Sequence, residues 1–552
     1  HSSALKSDGS LWSWGINANG QLGDNTTTQQ NIPIQVKDQM GSGYLLNIKT
    51  MDCGNLFCLA VDNDGLVFGW GQNSSVNPTY GGTAIGQAGY GENVQPANRL
   101  LPTKILAAFT ANSLTDIKDI AAGDRHVLVL KNDGTVWAWG ANGNGQLGDG
   151  TTQQRYLPTQ VKDQSGSGFL SNIVSIEAAG DNVYGSDSFA VDQDGTVWAW
   201  GSGISGKLGI GGNGSSLLPV KVKDSSGTGV LSNIKKVTAA GSYTLALAND
   251  GTIWSWGYNI SGQLGDGTTL LRNLPVKVKN SDGTNFSNVS DISSSKASIT
   301  TSWSSGWNLA LKNDGTVWSW GYNSGQGNLG DGTSTAKSFP VQVRDSSGTG
   351  FLSDIKGITN SVSGSQYGSS YALANDGTIW AWGGNLYGQL GDGTVAAKTL
   401  PIKVKDSTGT GSLSNIKSIS GGYYSMFATD NDNKLWAWGS NAYGQLGDNT
   451  GVQRNLPVRV KDKNNQDIND IKMVSADGYV PTGQNQDWNH EPYSILLKND
   501  GTLLSAGFNS SGQLGDNSTI NKTLPSQVLS SVYYTGGHVL SGSASGYVVD
   551  MG

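Results

Sequence analysis

The chain has 552 residues and a net charge of −7 at pH 7, and only 14% of its residues are charged. A chain that is acidic overall and has no basic cluster is not expected to bind nucleic acid. No apolar run approaches the roughly 18 residues of a membrane-spanning helix, so membrane insertion is not expected either. Few charges, 80 glycines and two cysteines are instead typical of a secreted or cell-surface protein of bacterial type.

The first fifteen residues end with Trp12, Trp14 and Gly15, and this short motif recurs with variations along the whole chain. We call it the tryptophan phrase. Copies end at Gly15, Gly71, Gly140, Gly201, Gly257, Gly321, Gly383, Gly439 and Gly507. A tenth, degraded copy spans residues 538–552 and aligns without a gap on residues 1–15. Copies separated by roughly 45 to 69 residues indicate a repeat architecture.

The clearest copy runs from Asp133 to Gly140 and predicts a β-hairpin. Its Asp-Gly pair stands between two apolar runs, and glycine accepts the positive φ that a tight turn requires. Trp137 and Trp139 are two residues apart, so they share one face of the strand, while the smaller apolar residues share the other. Because both faces are apolar, we expect the strand to be covered on both sides by neighbouring sheets.

The remainder of each repeat predicts further strands. A Gly-Gln-Leu-Gly-Asp loop follows the tryptophans, and a proline then begins an edge strand, because proline cannot donate a hydrogen bond to a sheet. A polar turn such as residues 224–229 leads to another strand at residues 234–239. Repeats with about four strands and no helical period predict an all-β fold, a β-propeller of four-stranded antiparallel blades.

The combined pattern resembles the repeat of the regulator of chromosome condensation family over nearly the whole chain. It comprises Ala-Ala-Gly, an aromatic residue or His, Leu-Ala-Leu, Asn-Asp-Gly, the two tryptophans with glycine, and Gly-Gln-Leu-Gly. The resemblance implies a propeller scaffold but not a function, since such folds host unrelated activities. The best-known members have seven blades, whereas this chain has nine complete repeats and an extra hairpin. We expect about nine blades, with seven or eight blades plus extra hairpins, or ten blades, as alternatives.

We interpret residues 1–552 as a single propeller domain with a degenerate extra hairpin at residues 538–552. The first hairpin lacks the strand that precedes it in other repeats, and residues 532–537 are the candidate for that place. The extra hairpin then either closes the ring as part of a tenth blade or pairs with another subunit by strand addition. Its apolar candidates for contacting a partner are Tyr547, Val548 and Val549.

Three segments break the regular repeat: residues 72–111, 288–306 and 476–492. Loops that interrupt a repeat are where binding specificity is usually placed. Tolerated drift in loop length is the alternative interpretation. The candidates for contacting a partner in the second and third segments are Trp303, Trp307, Tyr479, Trp488 and His490.

The histidines indicate packing rather than catalysis. Three of the four share one repeat position, which elsewhere holds aromatic residues: His1, His126 and His538 against Phe57, Tyr243 and Trp307. His490 lies outside this pattern, and no nucleophile motif accompanies it. We therefore expect no enzymatic activity. His1 also falls inside a repeat, as expected if a leader has been removed or if the sequence is a fragment.

No cofactor or metal is expected from the sequence. Acidic turns such as residues 192–195 resemble calcium loops faintly but lack the spacing and the later glutamate of such loops. A weak calcium site on a repeated rim is the alternative. The aspartate of the Gly-Gln-Leu-Gly-Asp loop is expected to cap its own loop by hydrogen bonds to the backbone. Cys53 and Cys58 are either two core thiols or a local disulfide.

These observations favour a non-enzymatic extracellular or cell-surface scaffold that binds a protein partner or itself, with self-assembly through its terminal strands. The resemblance implies two other functions: a small-GTPase exchange factor, as the family name suggests, and a specific protein inhibitor similar to the propeller β-lactamase inhibitor of the family. A carbohydrate-binding propeller is a fourth hypothesis, although no repeated exposed aromatic residue marks sugar sites.

Overall fold

The computed structural model describes the chain except at residues 7, 54–55, 73–97, 106–115, 123–125, 180–184, 240–241, 296–305, 324, 361–367, 423, 480–489, 501, 511–513, 515, 529–537, 540–541, 544–545 and 548–552. The described residues form strands and turns, with one 3-10 turn at Ile204–Gly206. No helix in the described part of the chain is long and apolar enough to cross a membrane.

The strands follow the repeat. Those of the first four repeats are β1 (Ser2–Lys6), β2 (Leu11–Gly15), β3 (Gln30–Gln35), β4 (Ile48–Cys53), β5 (Phe57–Asp62), β6 (Val67–Gly71), β7 (Arg99–Lys104), β8 (Ile117–Ala122), β9 (His126–Lys131), β10 (Val136–Gly140), β11 (Arg155–Gln160), β12 (Ile173–Ala179), β13 (Asp187–Asp192), β14 (Val197–Gly201) and β15 (Ser216–Lys221).

Twenty further strands form the next five repeats. They are β16 (Ile234–Ala239), β17 (Tyr243–Ala248), β18 (Ile253–Gly257), β19 (Arg272–Lys277), β20 (Val289–Ser294), β21 (Trp307–Lys312), β22 (Val317–Gly321), β23 (Lys337–Gln342), β24 (Ile355–Asn360), β25 (Ser369–Ala374), β26 (Ile379–Gly383), β27 (Lys398–Lys403), β28 (Ile416–Gly421), β29 (Ser425–Asp430), β30 (Leu435–Gly439), β31 (Arg454–Arg459), β32 (Ile471–Tyr479), β33 (His490–Lys498), β34 (Leu503–Gly507) and β35 (Lys522–Gln527).

The sheets are the blades of a propeller. Eight of them have four strands each, which lie side by side in chain order. We number the blades from the chain start: blade 1 contains β1–β3, blade 2 contains β4–β7, and each later blade takes the next four strands, up to blade 9 with β32–β35. The protein is therefore an all-β propeller of nine blades, as the repeat count predicted, and the alternatives of seven, eight or ten blades are wrong.

Blade 1 is completed by residues from the far end of the sequence. Three short strands lie there: β36 (His538–Val539), β37 (Gly542–Ser543) and β38 (Gly546–Tyr547). β36 pairs antiparallel with β1 at Leu5 and Lys6, and β38 pairs parallel with β1 at Ser2. The terminal hairpin thus lies beside β1 of its own chain. Residues 532–537, which were expected in this place, lie outside the described residues.

The predicted hairpin forms as expected between β9 and β10. Val136 pairs with Leu130, and Gly140 pairs with His126. The Asp133 carboxylate accepts hydrogen bonds from both the backbone N–H and the hydroxyl of Thr135, at 2.9 and 2.6 Å, which closes the turn. Such side chain to backbone bonds stabilise tight turns.

The second tryptophan of the phrase, which is present in blades 1 to 8, is buried in each of them, and Ala506 takes its place in blade 9. Trp200 is fully buried, and its Nε1–H donates to the carbonyl oxygen of Gln146 in the preceding blade at 2.8 Å. The hydroxyl of Ser188 donates to the same oxygen at 2.9 Å. The same hydrogen bond, from an indole N–H to a backbone carbonyl oxygen, joins Trp70 to Gln21, Trp320 to Gln263, Trp382 to Asn328 and Trp438 to Gln389. Both the apolar area and this bond therefore hold adjacent blades together.

The loop after each tryptophan pair is held by a buried asparagine. In blade 3 the Asn142 amide donates to Asp149 and to the carbonyl oxygen of Thr151, at 3.1 and 3.0 Å. Asp149 in turn accepts the backbone N–H of Thr151 and forms an ion pair with Arg155. The aspartate caps its loop as the sequence indicated. Its oxygens bind protein donors, and the expectation of no bound metal stays a prediction.

The described residues divide into two compact units. One contains His1–Ala239, Ser510–Thr519 and Val528–Gly552, and the other contains Ala240–Asn509 and Ile520–Gln527. Within each unit, buried apolar clusters join neighbouring blades; Leu128 of blade 3 and Ile176 of blade 4 belong to one of them. The single domain over residues 1–552 stays a prediction. Cys53 and Cys58 face each other on β4 and β5 and form a disulfide, with their Cα atoms 4.1 Å apart.

Candidate protein-interaction site

Chain order places the irregular loops at one end of each blade. In a four-stranded antiparallel sheet, the connection from the first to the second strand and that from the third to the fourth lie at the same end. Residues 296–305 and 480–489 both belong to connections of the first kind. We call this end of a blade the insertion end. Of the first irregular segment, residues 72–111, most lies outside the described residues.

Blade 9 carries a longer hairpin than the other blades. Its first two strands, β32 and β33, have nine residues each, whereas the equivalent strands elsewhere have five to seven. The added ladder ends where Tyr479 pairs with His490. The structure therefore brings these two predicted residues to paired positions, at the last pair of the ladder that the structure describes. Trp488 lies outside the described residues.

The candidates of blade 6 and of the terminal hairpin have different outcomes. Trp307 is fully buried, and its Nε1–H donates to the hydroxyl of Ser370 at 3.0 Å. A Cβ atom on Gly368 would lie 2.1 Å from the Trp307 ring, so this residue packs between blades and does not reach the surface. Tyr547 lies in β38 beside β1. Trp303, Val548 and Val549 lie outside the described residues.

A row of aromatic rings lies at the insertion end of blades 7 to 9. Tyr387 of blade 7 stacks on Tyr424 of blade 8, with ring centroids 4.4 Å apart. Tyr443 of blade 8 meets Phe508 of blade 9 edge to face at 5.1 Å. Tyr387, Tyr443 and Phe508 are partly exposed, whereas Tyr424 is buried. We call these four residues the aromatic row.

The loops that carry the row are fixed from beneath. The backbone N–H of Tyr387 donates to the Gln389 side chain at 2.9 Å, and the buried Asn385 amide donates to three loop oxygens within 3.1 Å. Tyr443 and Asn441 repeat this arrangement in blade 8. The rings therefore stand on a rigid base, and little conformational entropy remains to be lost when a partner binds them.

Sequence reasoning did not identify the aromatic row. Tyr387 and Tyr443 occupy the same loop position in consecutive repeats, directly before the Gly-Gln-Leu-Gly-Asp loop. The other intact copies of this loop have small polar residues there: Asn19, Asn144, Ser261 and Ser511. Two tyrosines at a position that is otherwise polar are a signal available in the sequence. Their contacts with Tyr424 and Phe508 are not, because they join different blades.

A buried cluster in blades 3 and 4 contains serine, histidine and aspartate but lacks catalytic geometry. The hydroxyl of Ser188 donates to Gln146, so the His126 Nε2–H, 2.9 Å away, must donate to Ser188 rather than take its proton. The Asp187 carboxylate binds the buried Lys207 ammonium at 2.7 Å. Burial lowers the pKa of His126 to about 4, with the Lys207 charge as the second cause. The cluster fits packing, as the repeat position predicted.

Comparison with known proteins agrees with these observations. The RCC1-like domain model matches residues 1–367, and the regulator of chromosome condensation (RCC1) repeat model matches residues 376–429 and 432–478. The ultraviolet-B receptor UVR8 of Arabidopsis thaliana is 29% identical over 409 residues, which cover 74% of this chain and 80% of that protein. The E3 ubiquitin-protein ligase HERC2 of Homo sapiens is 26% identical over 418 residues, or 76% of this chain and only 8% of that protein.

Solved structures show lower similarity. Human WBSCR16 has 20% identity and a TM-score of 0.46, covering 76% of this chain and all of that one. Prp20p of Saccharomyces cerevisiae has 20% identity and a TM-score of 0.42, covering 73% of this chain and 88% of that one. The family models together match most of the sequence. The matched repeat at residues 376–429 begins inside blade 7 and ends inside blade 8, so the sequence repeat is offset from the blade. The chain belongs to the family of RCC1-like domains.

Proposed function

We propose that this protein is a non-enzymatic scaffold that binds a protein partner at the insertion end of blades 7 to 9. The aromatic row is the observation that carries the proposal. Tyrosine and phenylalanine are enriched in protein interfaces, where they supply contact area at a small loss of side-chain entropy. Here their loops are already fixed by buried asparagines, which lowers the entropy loss further.

Apolar residues on the neighbouring loops enlarge the proposed surface. Leu386, next to Tyr387, is 49% exposed, and Val452 of blade 8 is 60% exposed. The extended hairpin β32–β33 belongs to the same end of blade 9. We interpret these apolar residues as the core of an interface and the extended hairpin β32–β33 as part of its rim. In protein interfaces a few central residues contribute most of the binding energy.

The compartment that we propose is extracellular or the cell surface. Two observations support it: the disulfide between Cys53 and Cys58, and a composition with only 14% charged residues. Disulfides persist in oxidising compartments and are rare in the reducing cytosol.

Self-assembly through the terminal strands is a second candidate function. The observation that favours it is the position of the terminal strands at the edge of β1, where β36 pairs with Leu5 and Lys6 and β38 pairs with Ser2 among the residues that the structure describes. A terminal strand at a sheet edge can be exchanged for the same strand of another copy.

The test of the interaction site replaces Tyr387 and Tyr443 together by serine. Serine is the residue that Ser261 supplies at the same position of blade 5, so the loops should keep their hydrogen bonds. The matched control is Phe351→Ser, because Phe351 is 50% exposed at the opposite end of its sheet and Ser412 holds that position in the next repeat. Partners are captured from extracts and secreted fractions by cross-linking and are compared by mass spectrometry.

We expect a partner that is retained by the native protein and by the control variant to lose at least tenfold in recovery with the double variant. Equal recovery by all three proteins would contradict the proposed site. Stimulated nucleotide release from a small GTPase, or inhibition of a captured enzyme, would decide between the two activities that the family resemblance implies. Circular dichroism and thermal melts of the variants check that folding is intact.

A further inference from the structure

We propose that Cys53, Cys58 and His1 form a redox-gated site for a thiophilic d10 metal ion of the Zn²⁺ class. The His1 Nε2 atom lies 3.1 Å from the Cys58 Sγ atom. The two sulfurs and one ring nitrogen all lie within 4.8 Å of one another. In the described structure the sulfurs are joined in a disulfide, so the cluster is closed to metal in its oxidised state.

The repeat explains why the three groups meet. The same contact between adjacent blades occurs between blades 3 and 4, where His126 Nε2 lies 2.9 Å from the Ser188 hydroxyl. Ser188 there pairs across its sheet with Ala178, as Cys58 pairs with Cys53. At the position of His1, the two cysteine sulfurs thus take the places of the Ser188 hydroxyl and the Ala178 methyl group. Histidine with two thiolates is a ligand set that selects zinc or monovalent copper.

Opening the site requires one balanced redox step. A dithiol reductant gives two electrons and two protons to the disulfide; its own thiols become a disulfide, and Cys53 and Cys58 become thiols. A divalent ion then binds two thiolates and the neutral imidazole, and two protons are released. Zinc–sulfur bonds of about 2.3 Å hold two sulfurs about 3.7 Å apart. Rotation of the cysteine side chains supplies this separation.

The surroundings favour a metal over a pair of bare thiolates. Both cysteines are buried in an apolar cluster that includes Met51 and Trp70. Burial in apolar surroundings disfavours the thiolate, and a bound cation removes that penalty by neutralising the charge. The Ser3 hydroxyl lies 3.9 Å from each sulfur, which places one further oxygen beside the site. The His1 residue is partly exposed.

The experiment titrates the whole protein with Cd²⁺, whose binding to thiolates gives an ultraviolet charge-transfer band. The protein is first reduced with a phosphine, and an oxidised sample serves as the reference. We expect the reduced protein to bind one Cd²⁺ per chain and to release it when Zn²⁺ is added. While either metal is bound, we expect the thiols of Cys53 and Cys58 to be unreactive, and their reactivity should return only when the metal is removed. We expect the oxidised protein to show no band.

Two variants separate the site from adventitious thiol binding. His1→Phe takes the residue that Phe57 supplies at the same position of blade 2, and we expect it to lower the Cd²⁺ affinity tenfold to a hundredfold while the band persists. Cys53→Ala combined with Cys58→Ser recreates the blade 4 pair, and we expect it to abolish the band without loss of the fold. Absence of the band in the reduced native protein, or unchanged affinity in His1→Phe, would overturn the proposal.

Discussion

At the scale of single residues, one repeat position shows how context changes the role of a side chain. His126 and Trp307 occupy the same position, and each reaches the neighbouring blade through its ring N–H. Both are fully buried. The aromatic or imidazole ring fills the space between blades, and the hydroxyl of a serine in the next blade binds one ring nitrogen, Nε2 of His126 or Nε1 of Trp307. At His1 the same position contacts sulfur instead, the Sγ atom of Cys58.

We predict that His126 makes stability depend on pH. The pKa of His126 is about 4 in the folded protein and 6.5 when exposed, so the unfolded chain binds more protons between these values. The contribution of His126 to the free energy of unfolding is therefore complete above pH 6.5 and is lost as the pH falls. The loss amounts to roughly 3 kcal/mol near pH 4. The measurement is the free energy of unfolding by denaturant from pH 7 to 4, in the native protein and in His126→Phe.

Other groups titrate over the same range, so the quantity to compare is the difference between the two proteins. The native protein should lose its advantage over His126→Phe as the pH falls. Phenylalanine is accepted at this position in blade 2, where Phe57 is buried. Identical pH dependence of the two proteins would show that the pKa of His126 does not differ between the folded and unfolded states.

At the scale of the element, the tryptophan phrase divides into an inner and an outer residue. Trp382 is fully buried and donates to Asn328 of the preceding blade at 2.9 Å. Trp380 is partly exposed, and the Lys403 ammonium lies 5.3 Å from its ring centre. The same division appears in other phrases, where the second tryptophan is buried and the first has a lysine or arginine over its ring.

We predict that the two tryptophans differ in their effect on stability. Trp382→Ala should lower the free energy of unfolding by about 3–5 kcal/mol, because it opens a cavity between blades. Trp380→Ala should lower it by less than half as much, since a cation–π contact at an exposed site contributes only about 0.5–1 kcal/mol. Denaturant titrations followed by circular dichroism measure both values. A similar loss in the two variants would contradict the assignment of inner and outer roles.

At the scale of the whole molecule, the blade count and the sequence ends are connected. Each of the nine complete repeats contributes to one blade. Blade 1 takes β1, β2 and β3 from the start of the chain, with β3 at one edge and β1 at the other. The terminal strands β36 and β38 cover that edge. Since an uncovered strand edge is a template for pairing with another chain, this small closure affects association.

We predict that removal of residues 538–552 promotes association. The edge of β1 loses its partners at Ser2, Leu5 and Lys6 and becomes available for antiparallel pairing with a second copy. Sedimentation velocity should show dimers or larger species that the full chain lacks at equal concentration. Addition of a peptide of residues 538–549 should reverse the effect. A truncated protein with unchanged sedimentation would show that these strands do not protect the edge.

The sequence by itself determined the properties that a period can encode. The Asp-Gly turn, the alternation around Trp137 and Trp139, and the proline of each edge strand are local, and they predicted the strands and the nine blades. The proline was expected to begin that strand, but it is the fourth residue of the strand in the structure, as Pro219 is in Ser216–Lys221. The shared position of His126 with aromatic residues predicted packing in the same way. Each of these inferences needs only residues that are close in the chain or equivalent between repeats, because a strand and its turn are fixed by local backbone preferences.

Only the tertiary structure decided which distant residues meet. The stacking of Tyr387 on Tyr424, the pairing of β36 with β1, and the approach of His1 to Cys58 all join segments that no local pattern relates. Their contacts depend on how adjacent blades pack, and that geometry is set by burial of the inner tryptophans summed over the whole fold. For the same reason Trp307, an aromatic residue beside an irregular loop in the sequence, proved to be buried between two blades.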